Sequence, residues 1–428
     1  MDATVYDVIG IGIGPYNLGL AALVDEQPDI NGLFFEQTPR FKWHPGMLIE
    51  GTDLQVSFLA DLVTFANPKS HYTYLNYLHE TNRLYPFFFY HQFEIPRKEY
   101  DRYASWVSHQ LDHCYFGARV VDVMYDEEIY HITVKYNDDS TYTYKANHVV
   151  MGTGHKPNTI IDLEDIPVED VHHSSQYLFH KDKTVKAKSI TLVGSGQSAS
   201  EIFLDLLQEQ KNHSFSIHWY TRSPGHFQLD QSKLGQEIFS PDYVDYFHQL
   251  DYKTRLDALD ELKPLRNGVQ QATLHAIYHE LYHLSIDGQL DTIHIQPLTS
   301  LENVEKNESD YTVTYNHWQK DETIKDQTEK IILATGYKPN IPDWFNKRIK
   351  PLIQYESDRH YKVAKDHQLL FKNGDHSHFF TQTDLVHSHG SSATNLGLTV
   401  DRNVQIINTI TNEQRYKRQT GGIFTQFQ

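Results

Sequence analysis

Sulfur is scarce in this chain: one cysteine, Cys114, and four methionines in 428 residues. A single cysteine excludes an intrachain disulfide, a paired redox dithiol and a thiolate metal site. It fits a reducing compartment, and the expected location is the cytoplasm. Long apolar runs are missing as well. No stretch reaches the roughly 18 residues that a membrane span requires, and residues 8–13 are too short and glycine-broken for a secretory leader. Positive charge is in deficit, with 38 Lys and Arg against 56 Asp and Glu, a formal net charge of −18. That balance disfavours a nucleic-acid backbone as partner and favours cationic ligands. Histidine is plentiful, but no pair of His, Asp or Glu within 355–380 has metal-ligand spacing. No metal is expected, and those histidines read as solvated or hydrogen-bonded.

What is present is a globular composition, 39% hydrophobic and 22% charged, long enough for two or three domains. Two glycine turns organise it. Near the start, an apolar strand over 5–9 breaks at Gly10-Ile11-Gly12-Ile13-Gly14-Pro15, and Pro15 opens an apolar helix that ends before Pro28. A second strand follows and closes on Glu36, 24 residues beyond Gly12, where a carboxylate accepts hydrogen bonds from a ribose. The generic third glycine is replaced by Asn17. The second turn is Gly194-Ser195-Gly196-Gln197-Ser198, again between an apolar strand and a helix. In such turns the main chain approaches a pyrophosphate closely, and the helix directs unpaired N–H groups at the anion. After the strand at 217–221, Arg222 and Ser223 stand where an acid would select NADH. A guanidinium attracts a 2′-phosphate, so NADPH is expected.

Between the turns, residues 40–80 read as an aromatic loop region, and 71–80 and 97–111 as helices. Residues 116–151 alternate as strands with a hairpin turn at 137–140. Two similar strings, Met151-Gly152-Thr153-Gly154 and Ala334-Thr335-Gly336-Tyr337, read as paired crossings into and out of an inserted unit. The expected fold is α/β, with two Rossmann-like dinucleotide-binding domains and a small helical substrate lobe. The expected spans are 1–172 for the first part of the FAD-binding domain and 173–330 for the NADPH-binding domain, with the lobe at about 231–290. Residues 331–428 return to the FAD-binding domain.

These residues resemble the microbial N-hydroxylating flavoprotein monooxygenases, the lysine, ornithine and diamine N-hydroxylases of siderophore synthesis. The likeness runs nearly the whole length. It rests on Gly12-Ile13-Gly14-Pro15-Tyr16-Asn17-Leu18, on Trp43-His44-Pro45-Gly46-Met47 and above all on the block from Leu54 to Thr64. Leu75-Asn76-Tyr77-Leu78, the second glycine turn, Ala334-Thr335-Gly336-Tyr337 and His389-Gly390 add to it. The resemblance implies that Gly10, Gly12, Gly14, Pro15, Asn17, Glu36, Trp43, His44 and Gln55 hold FAD. It likewise implies that Gly194, Ser195, Gly196, Gln197, Ser198, Arg222 and Ser223 serve NADPH binding, with Thr335 a further cofactor-binding residue. Gln55 and Asn267 would place the amine.

Two departures bear on the substrate. Ornithine hydroxylases carry a carboxylate-binding lysine at the position of Ala60. Their carboxylate-binding asparagine falls at Gln236, and a substrate serine at Gly397. Loss of the cation points to an aliphatic diamine such as putrescine or cadaverine, with L-lysine second and another small primary amine such as histamine third. The reaction implied is NADPH- and O2-dependent N-hydroxylation through a C4a-hydroperoxyflavin, on an amine made neutral by desolvation or a proton acceptor. A homo-oligomer, a tetramer by resemblance, is expected. Disulfide reductases are excluded by the cysteine count. Baeyer–Villiger and ordinary flavin monooxygenases are the nearer rivals, and only His173 and Tyr177 echo their fingerprint.

Overall fold

The apolar strands form two separate sheets, the first with a parallel centre and antiparallel additions, the second parallel throughout. The computed structural model describes residues 4–286, 288–374 and 376–428, except for the side chains of residues 376 and 377. In the first sheet, Val5–Ile11 lies between Gly32–Glu36 and Thr141–Met151, all parallel, with Cys114–Phe116 and His376–Thr381 extending it on either side. Thr141–Met151 serves two neighbours. Its second half pairs in parallel with Val5–Ile11, while its first half pairs antiparallel with Ile129–Tyr136. The turn at 137–140 joins these last two strands, with Asp139 at φ 64 and the Ser140 N–H held by Asp138 Oδ1 at 3.0 Å. Val8, Ile9, Phe34, Val149 and Val150 are fully buried, as expected of strands covered on both faces.

The second sheet is entirely parallel, in the order Val171–His173, Lys330–Leu333, Ser189–Val193, Ser216–Tyr220, Ile293–Gln296. Two of these strands move the expected boundaries. Val171–His173 falls in the second sheet although the reading placed residues up to 172 in the first unit. Lys330–Leu333 is an inner strand of the same sheet, so the return begins only after Leu333. The crossings themselves, His155–Pro157 and Tyr337–Pro339, pair with each other antiparallel and form a two-stranded hinge between the sheets. A run such as Ile331-Ile332-Leu333 pairs equally well in either sheet, and only tertiary packing assigns it.

Three further elements differ from the reading. Within the supposed loop at 40–80, Asp53–Ser57 is a strand paired with Glu94–Pro96. The helix expected at 71–80 begins at Tyr74, where the Thr73 hydroxyl caps Asn76 N–H. The helix expected at 97–111 stops at Ser108. In the proposed lobe, the helix Gln271–Ile286 buries Ile277 against Ile202, Phe203 and Leu206, and so belongs to the second sheet's core. What remains separate is Pro241–Glu261 and its surroundings, around Ile238, Tyr243 and Phe247. Residues 355–380 include short strands and bridges rather than loop alone. His367 there is neither solvated nor hydrogen-bonded: it is 3% exposed and stacked on His389 at 4.1 Å.

Candidate active site

Both glycine turns are built on one plan. Gly12 (φ 86) donates its N–H to Phe35 O at 2.8 Å, and a Cβ there would meet Gly152 O at 2.6 Å. Gly194 (φ 137) donates to Tyr220 O at 2.9 Å, and its Cβ would meet Ala334 O at 2.3 Å. Each first glycine thus lets its turn press against one of the two crossings. The last glycines behave differently. A Cβ on Gly14 or Gly196 would meet nothing within 4 Å, and the helices Pro15–Asp25 and Gln197–Glu209 begin there without a side-chain cap. Four helices elsewhere are capped, by Thr73, Ser240, Asp251 and Asn395, while Leu84–Tyr90, Arg97–Ser108 and Tyr177–Thr184 also start without a side-chain cap, so it is the open space at Gly14 and Gly196 that sets these two starts apart. Two uncapped helix starts beside open space suit two anionic diphosphates.

A cavity of about 1500 Å³ runs along the first turn and reaches the second. Gly12, Gly14, Pro15, Glu36, Trp43, His44, Gln55, Gln197 and Ser198 border it, as expected from the sequence. The Glu36 carboxylate accepts from Ile13 N–H and Thr38 N–H, both at 2.9 Å, which fixes it at the end of its strand. Tyr337, quoted above within a motif but given no role, borders the cavity as well, and so do Lys42, Arg97 and Lys156, which were not singled out in the sequence. A signal existed in the basic residues that follow each glycine string or flank the Trp-His motif.

The two turns are locked together by polar contacts. Arg97 makes two hydrogen bonds to Glu201, at 2.9 and 2.7 Å, and a third to Met47 O at 3.1 Å. Gln197, the first residue of its helix, donates to Glu201, Gln270 and Thr273, and its Oε1 accepts from Gln270 N–H and from Gln55 at 3.3 Å. Gln55 lies on Asp53–Ser57, so one amide contact ties the first unit's cavity wall to the second unit's glycine turn. The Trp-His-Pro-Gly-Met segment makes the same crossing. A Cβ on Gly46 would meet Ser175 O at 1.9 Å, and Met47 is buried in the second sheet's core.

His44 is held neutral. Burial first, then the charge of Arg97 and the ring of His155, bring its pKa from 6.5 to about 4. Burial does the same for His148, His172, His226 and His387, each to about 4. The unfolded chain takes up these protons near pH 6.5 and the folded chain only near pH 4. Stability is therefore complete above pH 6.5 and is lost as pH falls towards 4. The melting temperature should fall by at least about 5 °C across that window and stay level between pH 7 and 8. A flat profile down to pH 4.5 in a thermal scan would contradict the burial of these rings.

Several residues named from the sequence stand away from the cavity. Gly10 is a packing glycine, since a Cβ there would meet the Phe34 ring at 2.2 Å. Asn17 is fully buried behind the first turn, and its amide donates to Gly12 O at 2.8 Å and to Ile11 O and Val150 O at 3.3 Å. Gly152 makes room for it: a Cβ there would meet Asn17 Nδ2 at 2.6 Å. The missing third glycine is thus answered by a glycine just beyond the end of the neighbouring strand Thr141–Met151. Thr335 donates to Asn158 O at 2.6 Å within the hinge. Gln236 donates to Asp230 O at 2.9 Å, Asn267 ends a short helix, and neither borders the cavity. Gly194, Ser195 and Gly196 form the second turn just beyond its edge. Arg222 and Ser223 follow Thr221, which occupies the place of Glu36 in the second unit, and Arg222 is exposed. Gly397 abuts Ala60: a Cβ on it would lie 3.3 Å from the Ala60 Cβ. The two departures from the ornithine pattern are therefore neighbours, beside the cavity residue Leu396. Cys114 is partly buried and its pKa is pushed up to about 12, so it is no thiolate nucleophile. Among the described residues no group of three or more His, Cys, Asp or Glu is placed to hold a metal, and no helix is long and apolar enough to cross a membrane.

Comparison with known proteins agrees with this geometry. The model of the L-lysine 6-monooxygenase/L-ornithine 5-monooxygenase family matches residues 4–339. A putrescine N-hydroxylase of Shewanella oneidensis is 37% identical over 100% of this chain and 85% of its own length. A crystal structure of a cadaverine monooxygenase of desferrioxamine biosynthesis from Erwinia amylovora, bound to FAD, superposes with a TM-score of 0.93 at 33% identity, covering 99% of both chains. An ornithine N-hydroxylase from Kutzneria, solved with reduced FAD, NADP+ and L-ornithine, gives 0.89 at 25% identity over 96% of this chain and 99% of its own. With the family model covering most of the chain and full-length relatives above 30% identity, the chain belongs to the L-lysine 6-monooxygenase/L-ornithine 5-monooxygenase family of flavin-dependent N-monooxygenases.

Proposed function

We propose that this enzyme N-hydroxylates an aliphatic diamine of the putrescine or cadaverine type, using NADPH and O2, for hydroxamate siderophore synthesis. The observation that carries the substrate is the contact between Ala60 and Gly397. Where a lysine would receive an amino-acid carboxylate and a serine would face the substrate, this chain presents a methyl group and a glycine so close that a Cβ on the glycine would lie 3.3 Å from that methyl. A second ammonium gains nothing from a lysine there, and a carboxylate loses its partner. The fully sized relatives named for putrescine and cadaverine support the same choice.

FAD would lie along the first turn, its diphosphate at Gly12, Gly14 and the start of Pro15–Asp25, its ribose at Glu36, and its ring towards Trp43, His44 and Gln55. NADPH would lie at Gly194, Ser195, Gly196, Gln197 and Ser198, with Arg222 and Ser223 on the 2′-phosphate. The flavin, when bound, supplies the redox chemistry that couples NADPH oxidation to transfer of one O2 atom to nitrogen, the other leaving as water. The protein orients and dries the site. Neutral His44 adds no positive charge beside the amine, Trp43, Met47 and Leu396 wall the cavity, and Gln55 positions the reacting nitrogen.

The reading is tested by measuring NADPH oxidation and hydroxylamine formation with putrescine, cadaverine, lysine, ornithine and histamine. Efficient product from diamines and little from ornithine is expected. Oxygenation of ketones or sulfides alone would overturn it. Gln55→Ala should keep NADPH oxidation but lower hydroxylamine formed per NADPH several-fold. Arg222→Ala should remove a charge-assisted contact of about 1.5–3 kcal/mol, raising KM for NADPH roughly tenfold to a hundredfold while leaving NADH kinetics unchanged. The same reading has the chain self-associate as a homo-oligomer. Exposed aromatics at Tyr85 (77%), Phe88 (62%), Phe89 (74%) and Phe93 (66%) support it, and light scattering of a Phe88→Ser, Phe89→Ser variant tests it.

A further inference from the structure

Histidine rings pair repeatedly in this molecule, and most of the pairs are interior. His360 stacks on His387 at 4.4 Å and His367 on His389 at 4.1 Å; the His360, His387 and His389 rings each hold a hydrogen bond to a carbonyl or a neighbouring side chain, and the His367 ring is packed without one. The pair on the helix Gln271–Ile286 is of another kind. His279 and His283 stand one turn apart, both are exposed, and their Nε2 atoms converge to 3.2 Å. Two imidazole nitrogens each about 2.0–2.1 Å from one metal ion lie about 2.9 Å apart at the right angle of a tetragonal ion and about 3.3 Å apart at a tetrahedral angle, a range that includes the observed separation. The spacing therefore already matches that of two nitrogens on a common ion.

The surroundings favour occupancy. The helix is a fixed platform, because Ile277 on its opposite face is packed in the core and Thr273 in its first turn holds Gln197. The nearest carboxylate on the helix, Glu280, is engaged by Lys211 at 3.1 Å, so the donor set is purely imidazole. In the metal-free protein one ring donates its Nε2–H to the other. Binding needs both Nε2 lone pairs free, which a shift of one proton to Nδ1 provides without any change in charge. Neutral nitrogen donors select borderline transition ions over Mg2+ and Ca2+, with Cu2+ ahead of Ni2+ and Zn2+.

We propose that His279 and His283 form a two-point surface site for a divalent transition-metal ion, Cu2+ foremost, whose remaining positions are filled by water or an added ligand. The site is separate from the cavity and does not depend on the amine-hydroxylase reading. His275, a further turn along the same stripe, is about 12 Å of helix rise from His283 and is not a joint ligand.

The test uses tag-free, cofactor-loaded full-length protein titrated with CuCl2 in a non-coordinating buffer, followed by calorimetry and by Cu2+ electron paramagnetic resonance. One ion per chain with nitrogen coupling in the spectrum is expected. His279→Gln and His283→Gln should each weaken binding at least about tenfold, and His275→Gln should leave it unchanged. Glutamine is well tolerated on an exposed helix face, and amine turnover of the variants should match wild type. Equal stoichiometry and affinity in wild type and in the His279→Gln, His283→Gln double variant would overturn the proposal. So would a wild-type spectrum showing oxygen ligation alone.

Discussion

Replacing Arg97 by alanine should destabilise the enzyme by about 3–5 kcal/mol, the largest effect expected of any single side chain at the junction of the two units. The Glu201 side chain is 3% exposed and that of Arg97 12%. Without the guanidinium, Glu201 keeps only the Gln197 amide at 2.9 Å, and a buried carboxylate is left without a counter-charge. Met47 O loses a donor at the same time. Lysine at 97 should recover only part of the loss, because a single ammonium cannot reproduce the two parallel bonds. Replacing both partners with apolar residues, Arg97→Met with Glu201→Leu, should cost far less than Arg97→Ala, since no charge then remains buried. Urea unfolding of the three variants decides it. A loss below about 1 kcal/mol for Arg97→Ala would mean that the pair is hydrated in solution. Activity should fall with stability, because the same junction carries the Gln55–Gln197 contact.

Two neighbouring glycines should respond in opposite ways to a side chain. Gly14→Val should leave the flavin-free protein folded, with stability within about 0.5 kcal/mol of wild type, because a Cβ there meets no protein atom. It should weaken FAD by at least about 100-fold, close to 3 kcal/mol, because the new methyl groups fill the space in front of an uncapped helix start. The purified variant should be colourless. Gly12→Val should damage the fold itself, since φ 86 and an oxygen 2.6 Å from the new Cβ strain the backbone even without a ligand. Gly196→Val supplies the counterpart at the second turn, with FAD retained and KM for NADPH raised. Melting curves of the flavin-free proteins and flavin titration separate these outcomes. A yellow, fully loaded Gly14→Val protein would remove the diphosphate from that place.

Between them these results probe the two ways in which the site is made. The glycine turns are local devices that accept anions, and the junction is a long-range device that holds them at a working distance. Gly14 and Arg97 border the same cavity, yet they should fail differently: one in affinity for the cofactor, the other in the stability of the whole chain.

The sequence by itself determined what depends on neighbours along the chain. An apolar run broken by Gly-x-Gly and resumed as a helix yields a strand, a turn and an open helix start wherever it folds, so both turns, Glu36 and the hairpin at 137–140 were legible. So was the absence of dithiol chemistry, which needs only a count of cysteines. Tertiary structure alone decided the rest. Arg97 and Glu201 are 104 residues apart and Gln55 and Gln197 are 142 apart, and no periodicity links them. Asn17 reads as a cofactor ligand until Val150 O and Gly152 close around it from another strand. Ile331-Ile332-Leu333 is equally apolar in either sheet, and only pairing with Ile190, Thr191, Leu192 and Val193 on one side and with Val171–His173 on the other places it in the second. Local pattern specifies which element forms. The free energy that decides where it goes comes from burying surfaces distant in sequence, and those become neighbours only in the folded molecule.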